Sequence, residues 1–168
     1  EAQRAALITA IRRNFPDTKV ECSDLSWLRV PETGRIDGPL GRIFAALTNH
    51  RGHAGFATAG RRLVCDIVIP SKRLIIEYDE RQHFTAPRAV ALRLYPKDTA
   101  ICFDRAGWIA HCDAIAATDN DPPYRDEQRA FYDSVRDILA SANGYRVARL
   151  KHGALDWQTC DADRELST

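Results

Sequence analysis

The sequence predicts an α/β domain, a mixed central sheet flanked by helices, and three features of the chain carry that prediction. Residues 62–69 and 73–79 are short runs rich in Val, Ile and Leu that flank Pro70-Ser71-Lys72, the pattern of an antiparallel hairpin. Amphipathic helical patterns stand on both sides of it, at 2–14, 39–50 and 124–142. A further alternating run, 145–150, comes directly after the longest of these helices. The chain of 168 residues is long enough for one domain with a sizeable core.

Within 2–14, Ala5, Leu7, Ile8 and Ile11 share roughly one helical face, and Phe15-Pro16-Asp17 ends the helix. Residues 19–22 make a short strand. Residues 23–38 are irregular, with Trp27 and Leu28 pinned to the core. The helix at 39–50 has Leu40, Ile43, Phe44 and Leu47 as its buried stripe, and Asp37 is placed to cap it. The Gly- and Ala-rich stretch 52–60 reads as a first strand of the sheet around Phe56, with a loose turn into Arg61. After the hairpin, 84–123 is a mainly helical insertion. It holds a helix at 87–94, a short strand at Ile101-Cys102-Phe103, a helix at 107–117 and a Pro- and Asp-containing loop at 118–123. Because it starts directly after His83, this insertion is expected to form a lid or wall beside the site. The helix at 124–142 buries Phe131, Val135, Ile138 and Leu139, and Asn143-Gly144 is a C-cap signal. Alternation in 145–150 sets Tyr145, Val147 and Arg149 on one face. A short strand near Trp157 and a frayed tail complete the chain.

The net charge is +1, so no global basic field marks the chain. Of the 24 Lys and Arg, 20 are Arg, which suits bidentate phosphate contact but also follows from genome composition. Five scattered cysteines without a CxxC pair imply reduced thiols and a cytoplasmic location. His50-x-x-His53 and His111-Cys112 lack the second ligand pair that a zinc site needs. No signal peptide and no apolar run of about 18 residues is present, which argues against a membrane span. The chain opens at Glu1 rather than Met, which leaves room for a neighbouring domain or a partner protein.

The hairpin carries the chemistry. With the turn centred between Ser71 and Lys72, paired positions sum to 143 and Asp66 lies opposite Glu77. Period-two alternation puts Asp79 on the same face. Opposed residues have Cβ atoms about 5 Å apart and like charges there repel, so a cation is needed to offset them. Clustered carboxylate oxygens suit a hard ion such as Mg²⁺ or Mn²⁺, and at least one of the three acids should titrate high without it. The plainer reading is that Asp66 or Glu77 only caps or forms a salt bridge, with Arg61, Arg62 or Arg73 as partner.

The pattern Asp66, ten residues, Glu77-x-Asp79-x-x-Gln82-His83 resembles the core of the PD-(D/E)XK, or restriction-endonuclease-like, nuclease superfamily. It is most similar to the branch related to very-short-patch repair endonucleases. Asp79 falls where the superfamily has Lys, which is that branch's own substitution. His83 matches the branch's His, and Glu80 replaces its usual Gly. The helix 124–142 followed by YRVARL also resembles this branch, so the likeness covers about 37–83 and 124–151. It implies an αβββαβ core interrupted by the insertion 84–123. It implies Mg²⁺ or Mn²⁺ held by Asp66 and Glu77, with Asp79, Gln82 and His83 completing the catalytic set. It further implies phosphodiester hydrolysis in nucleic acid, most directly DNA. In that branch the helix before the sheet often carries a Glu; the aligned positions 40–42 have none, and Asp37 is nearest. Lys72, Arg81 or Lys151 would stand in for the missing Lys. Arg81, Arg88 and Arg93, beside the site in sequence, are the candidates for phosphate contact, followed by Arg125 and Arg129. An RNase of the same fold, and a weak or inactive member that binds nucleic acid or a partner protein, stay open as alternatives.

Overall fold

The computed structural model describes residues 1–166. In chain order it contains α1 (Ala2–Asn14), β1 (Lys19–Cys22), α2 (Gly38–Arg51), β2 (Cys65–Ile69), β3 (Leu74–Asp79), α3 (Ala86–Arg93), α4 (Arg105–Ile115), α5 (Arg125–Ala142), β4 (Arg146–Lys151) and α6 (Ala162–Glu165). The strands form one open mixed sheet in the order β1-β2-β3-β4. β1, β2 and β3 are antiparallel neighbours, and β4 joins β3 in parallel. The parallel pair is possible because the whole of α3 to α5 lies between β3 and β4, long enough for a crossover.

The hairpin has the expected register: Ile67 pairs with Ile76, Val68 with Ile75 and Ile69 with Leu74. Its turn is a short 3₁₀ segment at Pro70–Lys72, followed by Arg73 at φ 45. Asp17 anchors this turn by accepting from the Ser71 amide (2.7 Å) and hydroxyl (3.0 Å).

Alternation along the strands creates two cores, one on each face of the sheet. Ile67, Ile69, Ile76 and Tyr78 pack with Leu7 and Ile11 of α1 and with Trp157. Val68, Ile75 and Val147 pack with the helices α2, α3 and α5 through Ile43, Leu47, Leu92, Phe131 and Val135. Each fully buried aliphatic side chain in these cores contributes roughly 1.5–3 kcal/mol of transfer free energy. Asp66, Glu77, Asp79 and Arg149 share the second face, so the polar cluster grows out of the edge of the larger core.

Several expectations need correction. No strand forms around Phe56. It lies in a loop at 3% exposure, packed on Phe44 and Phe131 with ring centroids at 5.0 and 6.0 Å. The first strand of the sheet is β1, so α1, not α2, is the helix that precedes it. Ile101 makes a single bridge to Val147 rather than a strand. Trp157 is buried without strand pairing, its amide bonded to Gln3 Oε1 (2.6 Å), and α6 follows. In α5 the buried side includes Asp126, Glu127, Asp133, Ser134 and Asp137 beside Phe131 and Val135, while Ile138 and Leu139 are only half-buried. All five cysteines are free, and no described helix is long and apolar enough to cross a membrane.

Candidate active site

The β2–β3 ladder extends as far as Ile67–Ile76, and Asp66 and Glu77 come next. There the carboxylates take over the backbone's hydrogen bonds. The Tyr78 amide donates to Asp66 Oδ2 (2.8 Å), and the Asp66 amide donates to Glu77 Oε1 (3.3 Å). The two acids therefore face each other where the strands stop pairing. They open into a cleft of about 460 Å³ lined also by Glu1, Arg4, Glu21, Glu80, His83 and Arg136.

Their surroundings differ. Asp66 is part-exposed and accepts from Arg4 of α1 at 3.0 Å; Arg4 also contacts Glu21. Glu77 is only 4% exposed; Arg136 of α5 is its ion-pair partner among the described residues, with Nε 3.7 Å from Oε2, and the Arg149 charge acts on it more weakly. Burial pushes the Glu77 carboxyl up to about 7; the Arg136 charge opposes the rise and the Asp66 charge adds to it. One acid of the set is thus held high, and burial rather than the opposed charge is the main cause.

His83 closes a short 3₁₀ turn at Arg81–His83, directly after β3. Its Nδ1 lies 3.1 Å from Asp133 Oδ2 and 3.5 Å from Asp79 Oδ1. Burial alone would lower its pKa, but the charge and hydrogen bond of Asp133, with the Asp79 charge, raise it. With Nδ1 engaged by the acids, Nε2 is the nitrogen left for exchange with a ligand in the cleft.

The other expected residues are placed differently. Asp79 does not line the cleft. It is 1% exposed, accepts from Arg149 Nη1 (2.8 Å) and Trp108 Nε1 (3.0 Å), and reaches the cleft only through His83. Gln82 donates to Glu80 (2.7 Å) and its carbonyl accepts from Arg129 (3.0 Å), so it supports the turn. Arg88 cannot meet a phosphate: it is 1% exposed, with Nη2 2.8 Å from Asp137 and Nη1 2.7 Å from the Tyr95 hydroxyl. Arg93 is exposed on α3 and paired with Asp113 at 2.8 Å. Arg81 is exposed but lines neither this cleft nor its neighbour. Nor does Lys72 reach the acids: it sits in the hairpin turn, 5.6 Å from the Phe15 ring. Lys151 lies over Phe84 at 5.8 Å. Arg61, Arg62 and Arg73 form no bridge to Asp66 or Glu77 among the described residues; Arg4 and Arg136 do. The insertion contributes no lining residue to the cleft. It packs behind, where Trp108 of α4 holds Asp79.

Sequence reasoning missed Arg4, Asp133, Arg136, Asp137 and Arg149. Arg149 lies under the site, with Nη1 on Asp79 (2.8 Å) and Nη2 on Asp137 (2.9 Å). A signal for it was available: a charged residue sharing a strand face with Val147 must find buried partners. Asp133 and Asp137 at i,i+4 on the inner side of α5 are those partners. Arg4 carries no such signal, because its contact spans 62 residues of sequence.

Two carboxylates lining one open cleft are the kind of oxygen donor that a hard divalent ion takes. The raised Glu77 pKa comes first from burial, with Arg136 opposing it and Asp66 adding to it. No group of three or more His, Cys, Asp or Glu arranged to hold a metal occurs among the described residues, so backbone or water oxygens would have to complete a shell. No family model matches the chain, and neither does any curated protein or solved structure.

Proposed function

We propose that this chain is a Mg²⁺- or Mn²⁺-dependent nuclease of the restriction-endonuclease-like fold, hydrolysing phosphodiester bonds in nucleic acid, with DNA as the first substrate to test. The observation that carries this reading is the opposed pair Asp66–Glu77 at the open end of the β2–β3 ladder, with Glu77 held near neutrality. The sequence of α1, the antiparallel β1, β2 and β3, then α5 and the parallel β4 supports the αβββαβ reading, with α2 and the α3–α4 pair inserted into it.

In this reading Asp66 and Glu77 hold the ion. A bound divalent ion would polarise the scissile phosphate and lower the pKa of water. His83, anchored at Nδ1 by Asp133, exchanges a proton through Nε2. Arg136, rather than a lysine, stands near enough to Glu77 to stabilise charge that develops on the phosphate. A second reading, a nuclease fold that binds without cleaving, is favoured by one observation: Arg4 already occupies Asp66.

The test is a Mg²⁺ and Mn²⁺ cleavage screen over duplex, nicked and single-stranded DNA and RNA, run with wild type, Asp66→Asn and Glu77→Gln. Metal-dependent cleavage by wild type alone is expected. Equal cleavage by either variant, or none by wild type on any substrate, would overturn the proposal.

A further inference from the structure

A second cleft, of about 320 Å³, adjoins the first and shares two of its walls, His83 and Arg136. Its other lining includes Arg61, Arg125, Arg129 and Tyr132. Four guanidinium groups thus surround it. Asp133 is the one carboxylate in its wall, and it is buried and committed to His83, Arg136 and Arg149.

We propose that this arginine cleft takes the phosphodiester next to the one at Asp66 and Glu77, so that a polynucleotide strand runs from one cleft into the other across the His83–Arg136 wall. This rests on the reading of the first cleft as the reacting one. The charge pattern motivates it. The first cleft is lined by carboxylates, which repel a bare phosphate; the second is lined by cations, which attract one. A ligand with two consecutive phosphates satisfies both when a cation sits at the first. A mononucleotide or phosphomonoester satisfies only one.

The arginines are also prepared for it. Arg129 is fixed by the Gln82 carbonyl (3.0 Å) and Asp119 (2.9 Å) and keeps 16% side-chain exposure. Arg125 is 46% exposed and shares Asp119 at 3.2 Å. Arg61 is exposed, with its guanidinium 5.6 Å from the centre of the Tyr132 ring, and it forms no ion pair among the described residues. An aromatic platform that orients an unpaired arginine leaves its donors facing outward. With a net charge of only +1 for the whole chain, contact with an anion has to be local to such a cluster.

The test is fluorescence anisotropy with fluorescein-labelled DNA, in EDTA so that nothing is cut, over a series of salt concentrations. Arg61→Ala and Arg125→Ala are expected to weaken binding and each to reduce the slope of log affinity against log salt by about 0.7–0.9, one phosphate contact. Arg61→Lys should restore most of that slope. Arg146→Ala is the control: Arg146 pairs with Leu74, at the end of β3 remote from Asp79, roughly 16 Å away at strand rise. It should leave the slope unchanged. Both test residues are exposed, and thermal melts establish that the variants fold. If both alanine variants keep the wild-type slope, the proposal is overturned. The two readings fail separately. Slope loss in a protein that cuts nothing with Mg²⁺ or Mn²⁺ upholds the arginine cleft and removes the nuclease; cutting with unchanged slopes does the reverse.

Discussion

Glu77 and Asp79 lie two residues apart on the same strand and the same face, and both are almost wholly buried. Asp79 is saturated, with Arg149 at 2.8 Å, Trp108 at 3.0 Å and His83 at 3.5 Å. Glu77 has one weak backbone donor at 3.3 Å and a guanidinium at 3.7 Å. Behind Asp79 the pairing continues through Arg149, Asp133, Asp137 and Arg88 to the Tyr95 hydroxyl. In front of Glu77 there is a cleft. The same kind of side chain on the same strand is therefore sealed where its partners are complete and faces a cleft with unmet hydrogen-bonding capacity where they are not.

The largest effect should come from the sealed side. Arg149 faces three aspartates with no side-chain exposure. Removing it leaves buried negative charges unpaired, which costs about 3–5 kcal/mol. Arg149→Met is expected to lose stability of that size in urea denaturation, and to fail to fold if the total stability is smaller. An Arg149→Met protein as stable as wild type would erase the distinction between the two regions.

Glu77→Gln should act in the opposite direction, by a smaller amount. Burial raises the folded-state carboxyl to about 7, against an ordinary value near 4.5. A raised folded pKa means a contribution that is fully present below the unfolded value and lost as pH rises through the folded one. Wild type thus loses stability between about pH 4.5 and 7 from this group, and Gln, which stays neutral, does not. His83 also titrates with a raised pKa, but both proteins carry it, so the difference between them isolates position 77. Without metal, Glu77→Gln should match wild type near pH 5 and exceed it at pH 8 by an amount on the order of 1 kcal/mol or more. Denaturation in EDTA at the two pH values measures this. A variant less stable than wild type at pH 8 would place Glu77 with Asp79 among the structural acids.

This contrast also marks what the sequence could reveal. The hairpin register was legible, because period-two alternation and a three-residue turn leave little freedom; a one-residue slip would turn Val68 and Ile75 out of the core. The pairing of Asp66 with Glu77 followed from that register alone. Which acid was saturated was not legible. It depends on Arg149 from β4, Trp108 from α4 and Asp133 from α5, all distant in sequence from β3. The same limit explains the misplaced first strand. Residues 52–60 and 19–22 both offered short candidates, and only the tertiary pairing of Val20 with Ile67 decides between them. Arg88, next to the site in sequence, points inward to Asp137 because α3 packs on α5.

The smallest expected effect is the most informative about the open side. Arg4 sits 3.0 Å from Asp66, and their side chains are 31% and 28% exposed. A part-exposed pair of this kind contributes roughly 0–1 kcal/mol, so Arg4→Ala should hardly change the melting temperature in EDTA. Its consequence should appear with metal. On the proposed nuclease reading a divalent ion would compete with Arg4 for Asp66 Oδ1, and removing the arginine would leave that oxygen to the ion. Stabilisation by a ligand grows with the ratio of its concentration to its dissociation constant. The rise in melting temperature on adding Mn²⁺ should therefore be larger for Arg4→Ala than for wild type, and absent in the double variant Arg4→Ala/Asp66→Asn. If Arg4→Ala instead melts several degrees lower in EDTA and gains nothing from Mn²⁺, then Arg4 is to Asp66 what Arg149 is to Asp79. Both aspartates would then be held by structural ion pairs, and the non-cleaving reading would replace the nuclease.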